Sequence, residues 1–228
     1  MKSLQKIFIY TFFIVQFVQS AEWVDAGSER PKSPSWDLNT ISENQIEITF
    51  KLEGYFLEKL SNGKKKISFP DGVPILKSGA PDLPRIAKSI IIPDLANMNI
   101  SIVESDFIEI DIEDILPSKG NITRNIDPST IPLTYGKEYG QNEYYPNEIV
   151  FLRDPHIIRT YRGQTVVMQP VQYNPIQKKV RVYTSIKVLI KENNKRPINP
   201  LTNIPSNSES RDFEEIYNNI LENAINHG

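Results

Sequence analysis

Lys179-Val-Arg-Val-Tyr-Thr-Ser-Ile-Lys-Val-Leu-Ile-Lys191 decides the fold class. Val180, Val182, Ile186, Val188 and Ile190 share one parity, and Lys179, Arg181, Lys187 and Lys191 hold the other. A period of two with β-branched residues on one side is the pattern of a strand with one face in a core and one in water. Before it, Asn174-Pro175 is a turn signal, which predicts a hairpin with a strand over Val166–Tyr173. Further back, Ile46, Ile48, Phe50 and Leu52 alternate with Glu47, Thr49 and Lys51. Asn62-Gly63 marks a second hairpin turn, and Ile90–Ile92, Met98–Val103 and Phe107–Ile112 are further short β-rich runs. Many short strands broken by 17 prolines predict an all-β fold, an antiparallel β-sandwich of jelly-roll type over residues 45–192.

Three regions depart from that pattern. Residues 21–44 are polar and bear Pro and Ser, which reads as an extended leader. Residues 117–146 are dense in Asn, Gly, Pro, Ser, Thr and Tyr and alternate little. An irregular stretch of that length inside a compact domain is a functional loop or a disordered one. At the C-terminus, residues 193–210 have linker composition, and residues 211–228 then read as a helix. Asp212 and Glu215 make a capping box. Phe213, Ile216, Tyr217 and Ile220 fall on one apolar stripe, which needs a surface outside the helix to cover it.

The first twenty residues are a signal peptide in pattern: Lys2 and Lys6 precede the apolar run Ile7–Val18, and Val18-Gln19-Ser20 precedes Ala21. This predicts export with cleavage after Ser20, and no membrane association thereafter. The chain has 228 residues, no Cys and two His. That excludes disulfides, Cys-ligated metals and a cysteine nucleophile, and it leaves no material for a histidine metal site. Export without cysteine fits a bacterial envelope or extracellular protein. The formal charge of −2 offers no footprint for nucleic acid. His156 reads as a turn residue, and no acid pair is singled out for glycosidase chemistry. Neither a cofactor nor a metal is expected. Tyr135, Tyr139, Tyr144 and Tyr145 suit either a sugar- or peptide-binding face or the covering of a sandwich edge. The first option describes an adhesion or carbohydrate-binding module.

A collinear series of segments narrows the choice. Gly79-Ala-Pro-Asp-Leu-Pro84, Pro117-Ser-Lys-Gly-Asn-Ile-Thr-Arg-Asn-Ile-Asp-Pro128, Ile131-Pro-Leu-Thr-Tyr-Gly136, Arg159-Thr-Tyr-Arg-Gly-Gln164 and Pro170-Val-Gln-Tyr-Asn-Pro175 resemble the gingipain propeptide, the prodomain of C25 caspase-like cysteine peptidases. The resemblance spans roughly residues 45–227. It implies a non-catalytic prodomain that helps a secreted C25 cysteine endopeptidase to fold and holds it latent. The partner it implies is the peptidase's catalytic domain, in cis or in trans, with the reactive thiol on that side. The position matching the family's basic plug is Arg124, in the irregular segment already singled out. Lys119 is the second candidate, and Asn125, Asp127 and Tyr135 are the neighbouring contact residues. The resemblance leaves Arg159, Arg162, Gly163, Pro170, Tyr173, Asn174 and Pro175 as scaffold. Arg159 and Arg162 are expected to flank Tyr161 on alternate strand positions and to pair with Asp154 or Glu148, with Gly163 allowing a bulge or turn. The terminal helix is the expected partner-docking element.

Overall fold

The computed structural model describes residues 21–202. The expected signal peptide with cleavage after Ser20, and the expected helix with Phe213, Ile216, Tyr217 and Ile220, fall on residues outside the described ones.

Thirteen strands follow in order: β1 Glu22–Asp25, β2 Ser35–Ser42, β3 Gln45–Lys51, β4 Gly54–Lys59, β5 Lys65–Ser68, β6 Val73–Pro74, β7 Pro84–Ile91, β8 Asn97–Asp111, β9 Val150–Leu152, β10 His156–Ile158, β11 Tyr161–Met168, β12 Val171–Asn174 and β13 Lys179–Asn193. All ladders between them are antiparallel. One sheet runs β12-β13-β3-β2 with β8 on the other side of β13, and a second runs β10-β11-β7-β6 with β9 on β11. A small third sheet is β1-β4-β5.

The alternation that marked β13 places its apolar parity in the core. Val180, Val182, Ile186, Val188 and Ile190 are all fully buried; the first two stand opposite Tyr173 and Val171 of β12, and the other three opposite Phe50, Ile48 and Ile46 of β3. From the second sheet Ile86, Ile90, Val166 and Met168 join the same cluster, so the two inner faces share one core. The expected all-β sandwich is the observed architecture. Among the described residues no helix is long and apolar enough to cross a membrane.

Several local expectations change. Residues 21–44 are not a leader lying outside the fold: β1 pairs with β4, and β2 pairs with β3. Trp36 packs edge-on to Phe50 with centroids 5.4 Å apart, and Leu38 on the same parity also packs against the core, so two apolar side chains in a polar stretch seat the strand. The runs Met98–Val103 and Phe107–Ile112 belong to one strand, β8, which follows β13 along its length with two register shifts. The predicted strand Val166–Tyr173 divides at Gln169-Pro170, with β11 in one sheet and β12 in the other. Pro170 has no N–H to continue the ladder, and its carbonyl accepts from Tyr183 of β13 at 2.8 Å. The Asn174-Pro175 corner does form the β12–β13 hairpin. Asn174 Oδ1 accepts from the backbone amides of Ile176 and Gln177 at 3.1 and 3.0 Å.

Candidate functional site

The long irregular segment divides into an anchored base and a projecting loop. Chain entering it is stitched to the body: Lys65 N donates to Asp114 O at 2.8 Å, Leu116 N donates to Lys65 O at 2.9 Å, and Asp82 N donates to Leu116 O at 2.8 Å. At Ser118 the loop leaves, and at Gly136 it returns. Both ends meet Gly79, whose N–H donates to Ser118 O at 2.8 Å while its carbonyl accepts from Gly136 N at 2.7 Å. Gly79 has φ +79°, and a Cβ there would stand 3.0 Å from Gly136 N. Only glycine fits both the backbone and the space. Gly120, at φ +81°, closes against Ser78 in the same way.

Between these anchors the eight residues Thr123–Thr130 are all exposed. The loop is shaped from within. Ile126 N donates to Thr123 O at 3.0 Å, and Thr123 Oγ1 bonds Asn125 Oδ1 at 2.6 Å. Asp127 caps the single turn Pro128–Thr130, accepting from Ser129 N and Ser129 Oγ at 2.8 Å each. Those two bonds, with Lys119 nearby, hold the Asp127 carboxyl below the usual carboxylate range. Lys119 Nζ donates to Pro128 O at 2.6 Å, so its ammonium is a strut across the loop. Arg124 has no hydrogen bond or ion pair with the described residues, and it presents its guanidinium to solvent. Of the two candidate basic residues, one is committed to the loop's own structure and one is open to a partner.

The tyrosines belong to the base. Tyr139 OH donates to Ile115 O at 2.7 Å, and Tyr173 OH to Glu113 O at 2.8 Å. Tyr135 stacks edge-on to Tyr139 at 4.6 Å, and Tyr139 in turn faces Tyr173 at 6.4 Å. Burial pushes the Tyr139 phenol well up, and Tyr145 and Tyr173 up to about 12. Tyr135 remains half exposed. Its hydroxyl meets Lys64, whose ammonium also bonds Asp114 Oδ2 at 2.9 Å, and both partners raise its pKa. Glu138 is buried in the returning chain, where Lys77 pairs with it at 2.6 Å and holds its carboxyl low. Tyr139, Tyr145 and Tyr173 pack against the core as the loop's foundation, and Tyr135 caps them from the solvent side.

Of the scaffold residues, Arg159, Arg162 and Gly163 sit apart from the loop, and three expectations about them are corrected. Arg159 lies in the turn between β10 and β11 at φ +54°, and is not at a strand position. Gly163 is mid-strand, paired with both Ile91 and His156, with neither bulge nor turn. Among the described residues Arg162 makes no salt bridge with Asp154 or Glu148. It is fully buried, and its guanidinium donates to four backbone carbonyls: Nε to Asn199 at 2.9 Å, Nη1 to Pro93 at 2.6 Å and Ala96 at 2.8 Å, and Nη2 to Ile198 at 2.7 Å. Burial lowers its pKa, though a guanidinium stays charged. The start of the expected linker is therefore strapped to the sandwich. Asn97 Nδ2 reaches Arg196 O, Asn199 Nδ2 reaches Pro155 O, and Leu201 is buried with its N–H on Asp94 O.

Sequence reasoning passed over Gly79 as a site residue, although its run was quoted. It also missed three buried glutamines. Gln164, Gln169 and Gln172 donate to the carbonyls of Arg153, Glu148 and Pro146, at 2.8, 2.9 and 2.7 Å. They hold the chain that returns from the loop, and only their placement on β11, β12 and the crossover marks them. Among the described residues no group of three or more His, Cys, Asp or Glu is arranged to hold a metal.

The described residues form a two-sheet sandwich that presents one exposed loop closed on Gly79. Comparison with known proteins makes the class specific: residues 37–221 match the Propeptide_C25 family, and the chain belongs to it. Gingipain R1 of Porphyromonas gingivalis is 35% identical over 189 residues, which is 82% of this chain and 19% of that protein. Gingipain R2 of the same species is 33% identical over 199 residues, 86% of this chain and 27% of that protein. The chain thus spans about a quarter or less of these curated relatives. Among solved structures, the complex of Porphyromonas gingivalis RgpB pro- and mature domains contains a chain that aligns with TM-score 0.75 at 32% identity, over 85% of this chain and all of that one. A structure described as giving insight into zymogenic latency of gingipain K aligns with TM-score 0.65 at 17% identity, over 77% of this chain, and shares the fold. The family match begins at residue 37, inside β2, in keeping with a strand that belongs to the sandwich.

Proposed function

We propose that this propeptide is a latency-maintaining inhibitor and folding aid for the catalytic domain of a C25 cysteine endopeptidase, and that it performs no hydrolysis itself. Arg124 is the plug. It enters the specificity pocket of the peptidase, where a guanidinium offers planar, bidentate donors to a carboxylate. The observation that carries this reading is the loop 119–135, closed at both ends on Gly79 and presenting an unengaged Arg124 within its exposed run. A stiff loop of that kind loses little entropy on docking, and it binds without taking up the geometry needed for cleavage. Asn125, Asp127 and Lys119 act by keeping its shape. Residues 211–228 serve as a second docking element, and export with cleavage after Ser20 places the pair outside the cytoplasm.

The test is inhibition of an arginine-specific C25 peptidase by the purified full chain. Truncating one partner of a buried charge pair costs about 2–5 kcal/mol, so Arg124→Ala is expected to weaken inhibition on the order of 30-fold to several thousand-fold. Arg124→Lys should fall between. If Arg124→Ala inhibits as well as the unaltered chain, the plug assignment is wrong. N-terminal sequencing of the exported protein should begin at Ala21.

A further inference from the structure

Strand β13 is paired on both sides, by β8 on one and by β12 and β3 on the other. Strand β8 is paired on one side only. Among the described residues no strand and no backbone hydrogen bond engages its outer edge. An edge strand presents a row of unmet N–H and C=O groups, and soluble proteins blunt such edges by making them short, by bulges, or by placing charges or Pro on them. β8 has 15 residues with neither Lys nor Pro, and its charges are all acidic: Glu104, Asp106, Glu109 and Asp111.

The middle of this edge is also apolar. Ile102, Val103, Phe107 and Ile108 are 45, 56, 45 and 36% exposed, two apolar pairs on either side of Glu104, Ser105 and Asp106. The two register shifts of the β8–β13 ladder fall within this stretch, and bulges of that kind re-aim a strand locally. Glu109, further along, is already held by Lys179 and Arg181 at 2.6 and 3.0 Å. Glu104 and Asp106 have no such cation among the described residues, because Lys187, opposite Glu104 in the ladder, gives its ammonium to Glu47 at 3.1 Å.

We propose that the outer edge of β8 over Ile102–Ile108 is a docking site for an extended segment of another protein, in which Lys or Arg alternates with apolar residues and which adds a further strand to the sheet. Each part of that description answers a feature of the edge. The unmet backbone groups require an extended partner. The four exposed side chains require apolar residues on it, and the two unpaired carboxylates require cations. The charges also disfavour a second copy of this chain. Antiparallel pairing of the segment with itself about Ser105 would set Glu104 and Asp106 of each copy against each other with no cation present.

The experiment uses the full chain and an end-capped eight-residue peptide alternating lysine with valine. Two analogues accompany it: one with glutamate for lysine, the other N-methylated at alternate backbone amides. The lysine peptide is expected to bind saturably by fluorescence anisotropy and to slow hydrogen exchange within residues 102–108. The two analogues, and a Glu104→Lys/Asp106→Lys chain titrated with the lysine peptide, should each bind at least tenfold more weakly. Equal binding of the glutamate or N-methylated analogue overturns the proposal, as does failure to saturate at millimolar peptide. Dimerisation seen by sedimentation and lost in Val103→Lys assigns the edge to a second copy and also overturns it. If the amides of 102–108 are already protected in the peptide-free monomer, the chain itself covers the edge and the proposal fails. The exchange map of the unaltered chain decides the matter even if the charge-reversed variant does not fold.

Discussion

Arg162→Met is the most informative perturbation of the scaffold. The guanidinium is fully buried and is the common donor to carbonyls from two separate segments, Pro93 and Ala96 on one side and Ile198 and Asn199 on the other. Hydrogen bonds to a charged group contribute roughly 1.5–3 kcal/mol each, so four would total far more than any single substitution usually costs. The total is not realised, because residues 196–201 can peel off and return their carbonyls to water. The loss is then limited to releasing the strap, including the buried side chain of Leu201, and to leaving Pro93 and Ala96 without their donor. That places the cost at about 3–5 kcal/mol, the range for breaking a buried charged contact. For a domain of this size it corresponds to a fall in Tm of roughly 6–20 °C. Thermal and urea unfolding of the full chain measure it, and hydrogen exchange at Leu201, whose N–H bonds Asp94 O, reports the strap directly. Arg162→Lys keeps the charge but brings a single ammonium to carbonyls spread over both segments, so it should also lose most of this stability. A Met variant whose midpoint stays within about 1 °C, with Leu201 as protected as before, would refute the reasoning.

Gly79→Ala forces a side chain into a left-handed backbone 3.0 Å from Gly136 N and is expected to cost about 1–3 kcal/mol. Its larger effect should be on inhibition, which weakens while the sandwich remains folded; unchanged inhibition would mean that the loop base is not needed. Lys179, Tyr144 and Arg181 bring Glu109 down from 4.5 to about 2. A carboxyl lowered on folding contributes stability that is complete above its unfolded pKa and is lost as pH falls through its folded one. The stability difference between the unaltered chain and Glu109→Gln should therefore shrink between about pH 4.5 and pH 2, measured by urea midpoints. A difference that stays constant over that window would show that Glu109 is not the titrating group.

The loop and the scaffold were legible to different degrees in the sequence. Arg124 was reachable because the segment around it lacks alternation and matches a family motif, both of which are linear properties. Lys119 ranked second on those grounds, and its 2.6 Å contact with Pro128 O sets it further apart from Arg124. For Arg162 the expected partners differ from those in the structure. Nearby acids in sequence suggested ion pairs, whereas its four acceptors come from backbone that lies 36 to 69 residues away. Backbone carbonyls carry no residue signature, so no reading of side-chain types could have found them.

The sequence by itself determined the all-β class, the parity of β13 and β3, the Asn174-Pro175 hairpin and the irregularity of the loop. Each of these rests on local periodicity or on the stereochemistry of Gly, Asn and Pro. Only the tertiary structure decided that β1 and β2 join the sandwich, that the strand before the hairpin changes sheets at Pro170, and that Gly79 closes the loop. It alone also leaves one edge of β8 unpaired. These depend on which strands lie side by side, and pairing between distant strands is settled by the shared core and the backbone ladders, which no window of neighbouring residues contains.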